Sequence, residues 1–358
     1  MALAHRRAAL CAFALPAMVF APNPCAAAAG LTVTGVGAHA LGSGTTTAAE
    51  LSGLTWAGGT QFYAVADGNH TVYPLSIELN PATGAVTSAA LSGGVQLSDG
   101  TDLEGIAFDG GGGVYVCDET GPAIRRHDLS DGSLLGSVAV PAVFAGCRSN
   151  LSLESLTRRA DGASLWTANE EALTADGPVS GFTSGTTVRL QKFDAGGSPA
   201  GQWAYQTDAI TGDIPITTAE RSGVADLLVL PNGKLLVLER ELGLSGGLPK
   251  FRSRIYEVDL AGATDVSGLP GLDGQTYTPV GKDLLWEGLF ASDNYEGICL
   301  GPELDGGAFS LLLISDDGGG LSQSLYALRI AGDVPEPGAA CLLALGTGGL
   351  LGRRRRRG

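Results

Sequence analysis

The chain has 358 residues, of which 55 are glycine, and only 16% of its residues are charged. Such a glycine-rich, weakly charged composition is typical of strand-and-turn proteins with many tight reversals and excludes a helical bundle. The formal net charge is −15, so the surface repels nucleic acid and anionic membranes and suits cations.

The N-terminus reads as a secretory signal peptide over residues 1–29. Arg6 and Arg7 form a basic start, an apolar run follows, and "CAAAAG" offers small residues for cleavage. A retained membrane anchor is the alternative, but the apolar run is shorter than the ~20 residues that a span needs.

Five internal repeats follow, starting at Leu51, Leu103, Leu153, Val224 and Tyr295. Each repeat is an apolar strand, a glycine-, aspartate- or asparagine-containing turn, a second apolar strand and a polar, usually acidic end. Two further strands tend to follow, as "AIRRHDLS" and "SLLGSVAVP" do after the second repeat. Antiparallel four-stranded units that repeat along a chain predict the blades of a β-propeller.

The predicted propeller covers residues 30–332 and has five or six blades. Five repeats are visible, and a sixth, degenerate one would have to lie within residues 171–220 or 260–285. The last unit has three strands only, ending at "SLYALRI". The first segment of the mature chain, "LTVTGVGAHAL", is therefore predicted to close the ring as the outer strand of the last blade.

A carboxylate recurs at one position of the first strand, as Glu104, Glu154 and Glu296, where the other two repeats have Ser52 and Ala225. The first strand of a blade lines the central channel, so we expect the three glutamates on neighbouring inner strands at one mouth. Antiparallel pairing should bring the ends of the second strands to the same mouth. Those ends add Asp67, Asp118, Glu119, Asn169, Glu170, Glu239, Asp316 and Asp317.

Several carboxylates around one cavity repel each other unless a cation offsets their charge, and Ca²⁺ takes six to eight oxygen ligands. Asp99 and Asp102 lie close to Glu104 in the sequence. The alternative is a solvated acidic rim without metal. The predicted calcium ligands are Glu104, Asp118, Glu119, Glu154, Glu170, Glu296, Asp316 and Asp317.

Arginine is scarce, so its positions are informative. Arg240 ends the second strand of the fourth repeat, and Arg148 precedes the third. Either side chain could hold an anionic group by bidentate hydrogen bonds. A local salt bridge with Glu239 or Glu241 is the alternative for Arg240.

Other chemistries have little support in the sequence. The body has three histidines without a triad-like setting, and "GLSGG" at residues 243–247 matches a nucleophile elbow by letters but leads to proline rather than to a helix. Cys117 and Cys147 are either a disulfide of an exported protein or free buried thiols like Cys299.

The C-terminus consists of Val334-Pro335-Glu336-Pro337, about fifteen apolar and small residues, and Arg353 to Arg357. Residues 333–358 closely resemble the PEP-CTERM sorting signal of Gram-negative bacteria. The resemblance implies export to the cell surface, transient retention in the inner membrane by a transmembrane helix, and processing by an exosortase-type enzyme. Without residues 1–29 and 334–358 the body has 15 basic and 36 acidic residues, a net charge of −21.

The repeats also resemble the phytase-like family, described as "esterase-like activity of phytase". "DLEGIAFDGGGGVYVCDETGPAIRRHDL", "NLSLESLTRRADGASLWTANEEAL", "LLVLERE" and "NYEGICL…LLISDD" carry this resemblance over roughly residues 50–330. It implies a secreted β-propeller that hydrolyses phosphate or other esters, with calcium as companion. Here "SDDG" stands where many members have "SDDN", and phytate is not implied as the substrate.

The functional hypothesis is a calcium-dependent ester or phosphomonoester hydrolase. Glu104, Glu154 and Glu296 would form the catalytic metal site, and Arg148 or Arg240 would orient the substrate. One alternative is a non-catalytic propeller that binds extracellular polysaccharide or matrix. A lactonase-like hydrolase with a single axial metal is another, and fold alone does not choose among them.

Overall fold

The computed structural model describes residues 30–41, 48, 50–212, 221–246, 248–316 and 323–334. In these residues, 21 β-strands form five antiparallel sheets that each contribute one innermost strand to a central ring. One 3₁₀ helix, Ala142–Gly146, connects the second sheet to the third. The chain is a five-bladed β-propeller, as the repeats predicted.

Each blade is a four-stranded meander that runs from the channel outward. The fifth blade contains the first strand of the chain, β1 (Thr32–Ala40). Blade 1 has β2 (Leu51–Gly58), β3 (Gln61–Ala66), β4 (Thr71–Leu79) and β5 (Val86–Leu91), and a short β6 (Val95–Gln96) also pairs with β4. Blade 2 has β7 (Leu103–Phe108), β8 (Gly113–Asp118), β9 (Ala123–Asp128) and β10 (Leu134–Val138).

The later blades carry longer strands and insertions. Blade 3 has β11 (Leu153–Arg158), β12 (Ser164–Asn169), β13 (Thr187–Asp194) and β14 (Pro199–Gln206). Blade 4 has β15 (Arg221–Val229), β16 (Leu235–Ser245), β17 (Leu248–Asp259) and β18 (Gly281–Phe290). Blade 5 has β19 (Asn294–Glu303), β20 (Phe309–Asp316), β21 (Ser324–Ala331) and β1.

The N-terminal strand closes the ring, as predicted. β1 pairs antiparallel with β21, with Thr32 opposite Ala331 and Ala40 opposite Ser324. The pairing gives the outer edge of blade 5 a partner from the other end of the chain, and it removes an exposed strand edge.

The sixth blade, left open by the sequence, is absent from the described residues. The two candidate segments contribute β13 and β14 to blade 3 and the start of β18 to blade 4, and their other described residues are connections. The ring is complete with five blades because the innermost strands β19 and β2 contact each other directly.

The core lies between blades, in five apolar clusters, one for each blade–blade interface. Adjacent residues of one strand face different neighbours, since side chains alternate across a sheet. Leu311 of β20 packs toward blade 4, whereas Leu312 packs toward blade 1. Strands buried on both faces are continuously apolar, which explains the near-unbroken "LLLI" of β20.

The two end segments, residues 1–29 and 335–358, lie outside the described residues, and so do the predicted signal cleavage and transmembrane helix. Within the described part of the chain, no helix is long and apolar enough to cross a membrane. Cys117, Cys147 and Cys299 are free thiols in the structure, so the disulfide alternative is not realised.

Candidate functional site

In each blade that has the repeated carboxylate, this residue lies at a β-bulge of the innermost strand. At the start of each innermost strand the register shifts by one residue against the second strand. Such a bulge bends the strand and turns the extra side chain in a new direction. The residues at this bulge are Ser52, Glu104, Ala225, Glu154 and Glu296. The bulge explains why apolar strands begin with a carboxylate.

The residue after the bulge lets the innermost strands approach backbone to backbone. A Cβ on Gly53 would lie 2.5 Å from the carbonyl oxygen of Glu104, and one on Gly105 would lie 2.5 Å from the backbone nitrogen of Leu156. A Cβ on Gly297 would lie 2.7 Å from the carbonyl oxygen of Ser52. At these three positions a side chain would push the neighbouring blades apart, so glycine is favoured there.

Blade 4 has Asp226 where three other blades have that glycine. Its carboxylate accepts backbone hydrogen bonds from Leu227 at 2.8 Å, from Ile298 of blade 5 at 2.8 Å and from Leu156 of blade 3 at 3.3 Å. Burial raises the pKa of Asp226 to about 8, and the three donors limit the rise. Asp226 thus joins three innermost strands below the bulge.

The close contacts at the three glycines and at Asp226 form a closed layer across the channel. Above this layer lies an acidic cavity of about 250 Å³, at the mouth where the innermost strands begin. Eight carboxylates and two arginines contribute to its wall, and three of the carboxylates are the bulge glutamates. The lining residues are Ser52, Asp67, Asp102, Glu104, Glu119, Asn150, Leu151, Glu154, Glu170, Arg221, Arg240, Asn294, Glu296 and Asp316.

Two groups of three carboxylates have the spacing of cation sites. In each group the three side chains offer oxygens that lie within 4.8 Å of one another. Oxygens that share a Ca²⁺ ion at 2.3–2.6 Å are separated by at most about 5 Å, so both groups fit. The first group is Asp67, Asp102 and Glu104, and the second is Glu119, Glu154 and Glu170.

Burial and mutual repulsion disfavour the charged forms in the first group. The pKa of Asp67 is raised to about 8, mainly by burial and next by the hydrogen bond and charge of Asp102. Burial also raises the pKa of Glu104 well above its usual range, with the negative charge of Glu296 as the next cause. Asp67 therefore holds a proton near neutral pH unless a cation replaces it, and the charged form of Glu104 is disfavoured for the same physical reasons.

The second group behaves in the same way. Burial raises the pKa of Glu119 to about 7, although its carboxylate accepts a 2.6 Å hydrogen bond from the backbone N–H of Ser152. The pKa of Glu154 is raised well above its usual range by burial and then by Glu104. For Glu170, burial raises the pKa more than the nearby Arg240 lowers it.

Arg240 connects the second group to Glu296. Its Nη2 donates to Glu296 at 2.6 Å and lies 3.4 Å from a carboxylate oxygen of Glu170. Burial opposes the charge on Arg240, but the surrounding carboxylates outweigh this and raise its pKa. The alternative of a local salt bridge between Arg240 and Glu239 or Glu241 is wrong. Glu239 pairs with Lys282, and Glu241 pairs with arginines of β17.

An amide completes the wall beside Glu296. Asn294 donates its Nδ2 to Glu296 at 2.8 Å, and its Oδ1 is buried without a hydrogen-bond partner among the described residues. An unpaired buried carbonyl oxygen is costly unless something positive faces it, and a hard cation is such a partner.

Two predicted site residues lie elsewhere. Arg148 donates to the carbonyls of Ala172 and Gly177 and holds a loop of blade 3, outside the cavity wall. Asp118 faces the other side of its strand end and pairs with Arg125 at 2.7 Å. Successive side chains of a strand alternate in direction, so only one residue of the Asp118-Glu119 pair faces the cavity.

The structure also bears on the predictions for Glu296, Asp317 and the elbow-like residues 243–247. Glu296 is not on a strand adjacent to those of Glu104 and Glu154, because β19 lies between β15 and β2 in the five-bladed ring. Asp317 lies outside the described residues, whereas Asp316 lines the cavity. Residues 243–245 belong to β16 and pair with β17, so the elbow-like letters are part of a hairpin.

The sequence reasoning missed Asn150, Arg221, Asn294 and Asp226. Asn294 stands two residues before Glu296 in the sequence, and this proximity is the local signal that could have indicated Asn294 as a site residue. Arg221 starts β15, and only the ring brings it near the carboxylates. Asn150 has a φ of 57°, a left-handed conformation that marks a tight turn at the mouth.

The solved structures that match this chain share little sequence with it. An endo-arabinase from Bacteroides thetaiotaomicron has 12% identity and a TM-score of 0.44, covering 84% of this chain and 96% of that chain. Myxococcus xanthus glutaminyl cyclase has 14% identity and a TM-score of 0.39, covering 84% and 97%. The PQQ-bound aldose sugar dehydrogenase from Streptomyces coelicolor has 14% identity and a TM-score of 0.36, covering 85% and 100%.

No curated protein matches the sequence significantly. Two family descriptions do match. Residues 333–357 match the PEP-CTERM protein-sorting motif, which indicates export and sorting to the cell surface in Gram-negative bacteria. Residues 46–319, which include every lining residue of the acidic cavity, match "Phytase-like: Esterase-like activity of phytase". The chain is therefore a member of the phytase-like family with a C-terminal PEP-CTERM sorting motif.

Proposed function

We propose that the acidic mouth binds Ca²⁺ and hydrolyses an ester with an anionic group, such as a phosphomonoester. The observation that carries this proposal is the pair of three-carboxylate groups, which share one small cavity with an arginine. Asp67, Asp102 and Glu104 would hold one ion, and the group around Glu154 would hold another. The unpaired Oδ1 of Asn294 supports the presence of a cation beside Glu296.

Bound calcium would supply positive charge for an anionic substrate and a polarised water for attack on the ester. The chain's own residues would position the substrate. Arg240 stands between the second group and Glu296 and presents a guanidinium that can hold an anionic oxygen. The closed layer at Asp226 and the glycines forms the floor of the cavity and limits how far a substrate can enter.

The narrow, polar cavity favours a compact anionic substrate group. Its described lining contains one leucine, and its other side chains are polar or charged. A hydrophobic acyl chain would find no apolar surface there, so the reacting group must be small and polar. The rest of the substrate would extend out of the mouth.

Calorimetric titration of the chelator-treated full chain with Ca²⁺ tests the metal site. Two ions are expected, and Asp102→Asn and Glu154→Gln should each remove one of them. Glu78→Gln is the matched control, because Glu78 is an exposed strand residue of blade 1 far along the blade from the channel. A single ion that both variants abolish would favour the lactonase-like alternative with one axial metal.

Hydrolysis of a panel of phosphomonoesters and carboxylic esters, with Ca²⁺ and with chelator, tests the activity. Calcium-dependent turnover that Glu104→Gln and Glu296→Gln abolish is the expected result. Calcium binding without turnover of any substrate would favour the non-catalytic alternative, a propeller that binds a component of the cell surface. Turnover that persists in chelator and in both variants would contradict the proposed site.

The sorting motif adds an expectation about processing. A basic stop after a short apolar segment resists transfer across a bilayer. We therefore propose transient retention at the inner membrane, followed by cleavage by an exosortase-type enzyme. Mass spectrometry of the surface-released protein should find a C-terminus close to Pro335, and a full-length C-terminus would contradict this processing.

A further inference from the structure

The opposite mouth of the channel is apolar. A cavity of about 380 Å³ opens where the innermost strands end, and residues from all five of these strands contribute to its wall. Among them are Leu54, Phe108, Leu156, Leu228 and Leu300. The two cavities share no lining residue, because the glycine contacts and Asp226 close the channel between them. The apolar mouth is therefore a separate site.

Both ends of the described chain reach this same face. β1 begins, and β21 ends, at the level where the innermost strands finish. Leu31 and Val334 are 6% and 7% exposed, and they pack in the cluster that contains Leu228 and Leu300 of the cavity wall. The chain thus leaves the propeller next to the apolar mouth.

One contact fixes this exit point. The side-chain amide of Asn232 donates to the backbone carbonyl of Asp333. Asn232 follows Pro231, which lines the apolar cavity. Asp333 therefore contacts blade 4 at the residue next to the cavity wall.

The sequence that follows suits this cavity. Pro335-Glu336-Pro337 has two prolines in three residues, and residues 338–352 are almost all apolar or small, with five leucines in "CLLALGTGGLLG". A proline-rich spacer that is extended spans about 3.1 Å per residue, so such a spacer would let the apolar run start about 12 Å beyond Val334. Outside a bilayer its leucines would remain in water, and burying an apolar side chain in the cavity is favourable.

We propose that the apolar mouth binds leucine side chains of the chain's own C-terminal apolar segment, residues 338–352. In this arrangement the propeller shields the segment from water whenever the segment is outside a bilayer. The segment leaves the cavity when a bilayer offers a larger apolar environment. The acidic mouth stays open in both states, because it lies at the other end of the channel. This inference does not depend on the proposed hydrolase activity.

Cysteine cross-linking in the full chain tests the proposal, with Cys341 of the segment as the natural anchor. Ala57→Cys places a partner in the cavity wall. Ala261→Cys is the matched control on the same face, in the exposed turn that follows β17 of blade 4. Thr120→Cys is an exposed control at the acidic mouth. A short bismaleimide is added without membranes, and cross-linked peptides are identified by mass spectrometry, which separates these pairs from the natural cysteines.

We expect Cys341 to cross-link to position 57 at least about tenfold more often than to either control position. This ratio corresponds to a free-energy preference of about 1.4 kcal/mol for the cavity. The double variant Leu342→Glu and Leu343→Glu should reduce the link to the control level, whereas Thr347→Ser should not change it. Adding lipid vesicles should also reduce it. Equal yields at positions 57 and 261, or a yield that the two glutamates leave unchanged, would overturn the proposal.

Discussion

Asp226 is expected to be the most sensitive polar residue near the channel axis. The substitution Asp226→Ala removes the acceptor for three backbone N–H groups, on Leu227, Leu156 and Ile298. The last two belong to neighbouring blades, and the site is buried, so water does not replace the lost oxygens.

The cost follows from those hydrogen bonds. A buried donor without a partner costs about 1–3 kcal/mol. The two 2.8 Å bonds are lost in full and the 3.3 Å bond is weaker, so Asp226→Ala should reduce the free energy of unfolding by about 2–6 kcal/mol. That is a large fraction of the roughly 5–15 kcal/mol typical of folded proteins. Asp226→Asn keeps one oxygen acceptor and should cost less.

Urea denaturation of the full chain in chelator, followed by circular dichroism, measures this difference. Asp194→Ala is the matched control, because Asp194 also accepts two backbone hydrogen bonds, from Gly196 and Ser198, but in an exposed turn where water can replace it. If Asp226→Ala is no more destabilising than Asp194→Ala, the assignment of Asp226 as a link between three blades is wrong.

The same residue predicts a pH dependence. Its folded-state pKa of about 8 lies above the ordinary aspartate value of 3.8, so the folded protein binds the proton more tightly than the unfolded chain. Its contribution to stability is fully present below about pH 4 and is lost as pH rises toward 8, with a slope of at most about 1.4 kcal/mol per pH unit. Asp226→Asn should remove this part of the slope, and an unchanged slope would contradict the raised pKa.

Three further outcomes are expected. Gly53→Ala should lower the free energy of unfolding by about 1–3 kcal/mol, because the added Cβ meets the backbone of the next blade. Gly136 lies in open space on an outer strand, so Gly136→Ala should change the free energy of unfolding by less than about 0.5 kcal/mol. Equal effects of the two substitutions in denaturant melts would contradict the close approach at Gly53. Calcium affinity, measured by calorimetry, should rise between pH 6 and pH 8, since Asp67 and Glu119 have raised pKa values of about 8 and about 7 and must lose protons to bind the ion; a flat profile would count against these ligands. Arg240→Gln should destabilise the calcium-free protein, because Glu296 and Glu170 lose their cation, and added Ca²⁺ should restore part of the loss in thermal melts; no recovery would argue against a cation near Arg240.

The repeated pattern by itself determined the blade, its four strands and the role of the N-terminal strand. It also determined that Glu104, Glu154 and Glu296 occupy equivalent positions, because a repeat places equivalent residues at equivalent places in a ring. These conclusions depend on local alternation and on turn residues, which operate within one hairpin and are visible along the chain.

Tertiary structure alone decided the number of blades in the ring and which side chains meet in it. The number of blades depends on the contact between β19 and β2, whose residues are far apart in the sequence. Arg240 pairs with Glu296 across a blade boundary and not with its sequence neighbours. Glu119 faces the cavity and Asp118 does not, because successive side chains point in opposite directions and the ring decides which direction leads to the cavity. The physical reason is the same in each case: repeats specify local geometry, whereas contacts between blades depend on the closed ring.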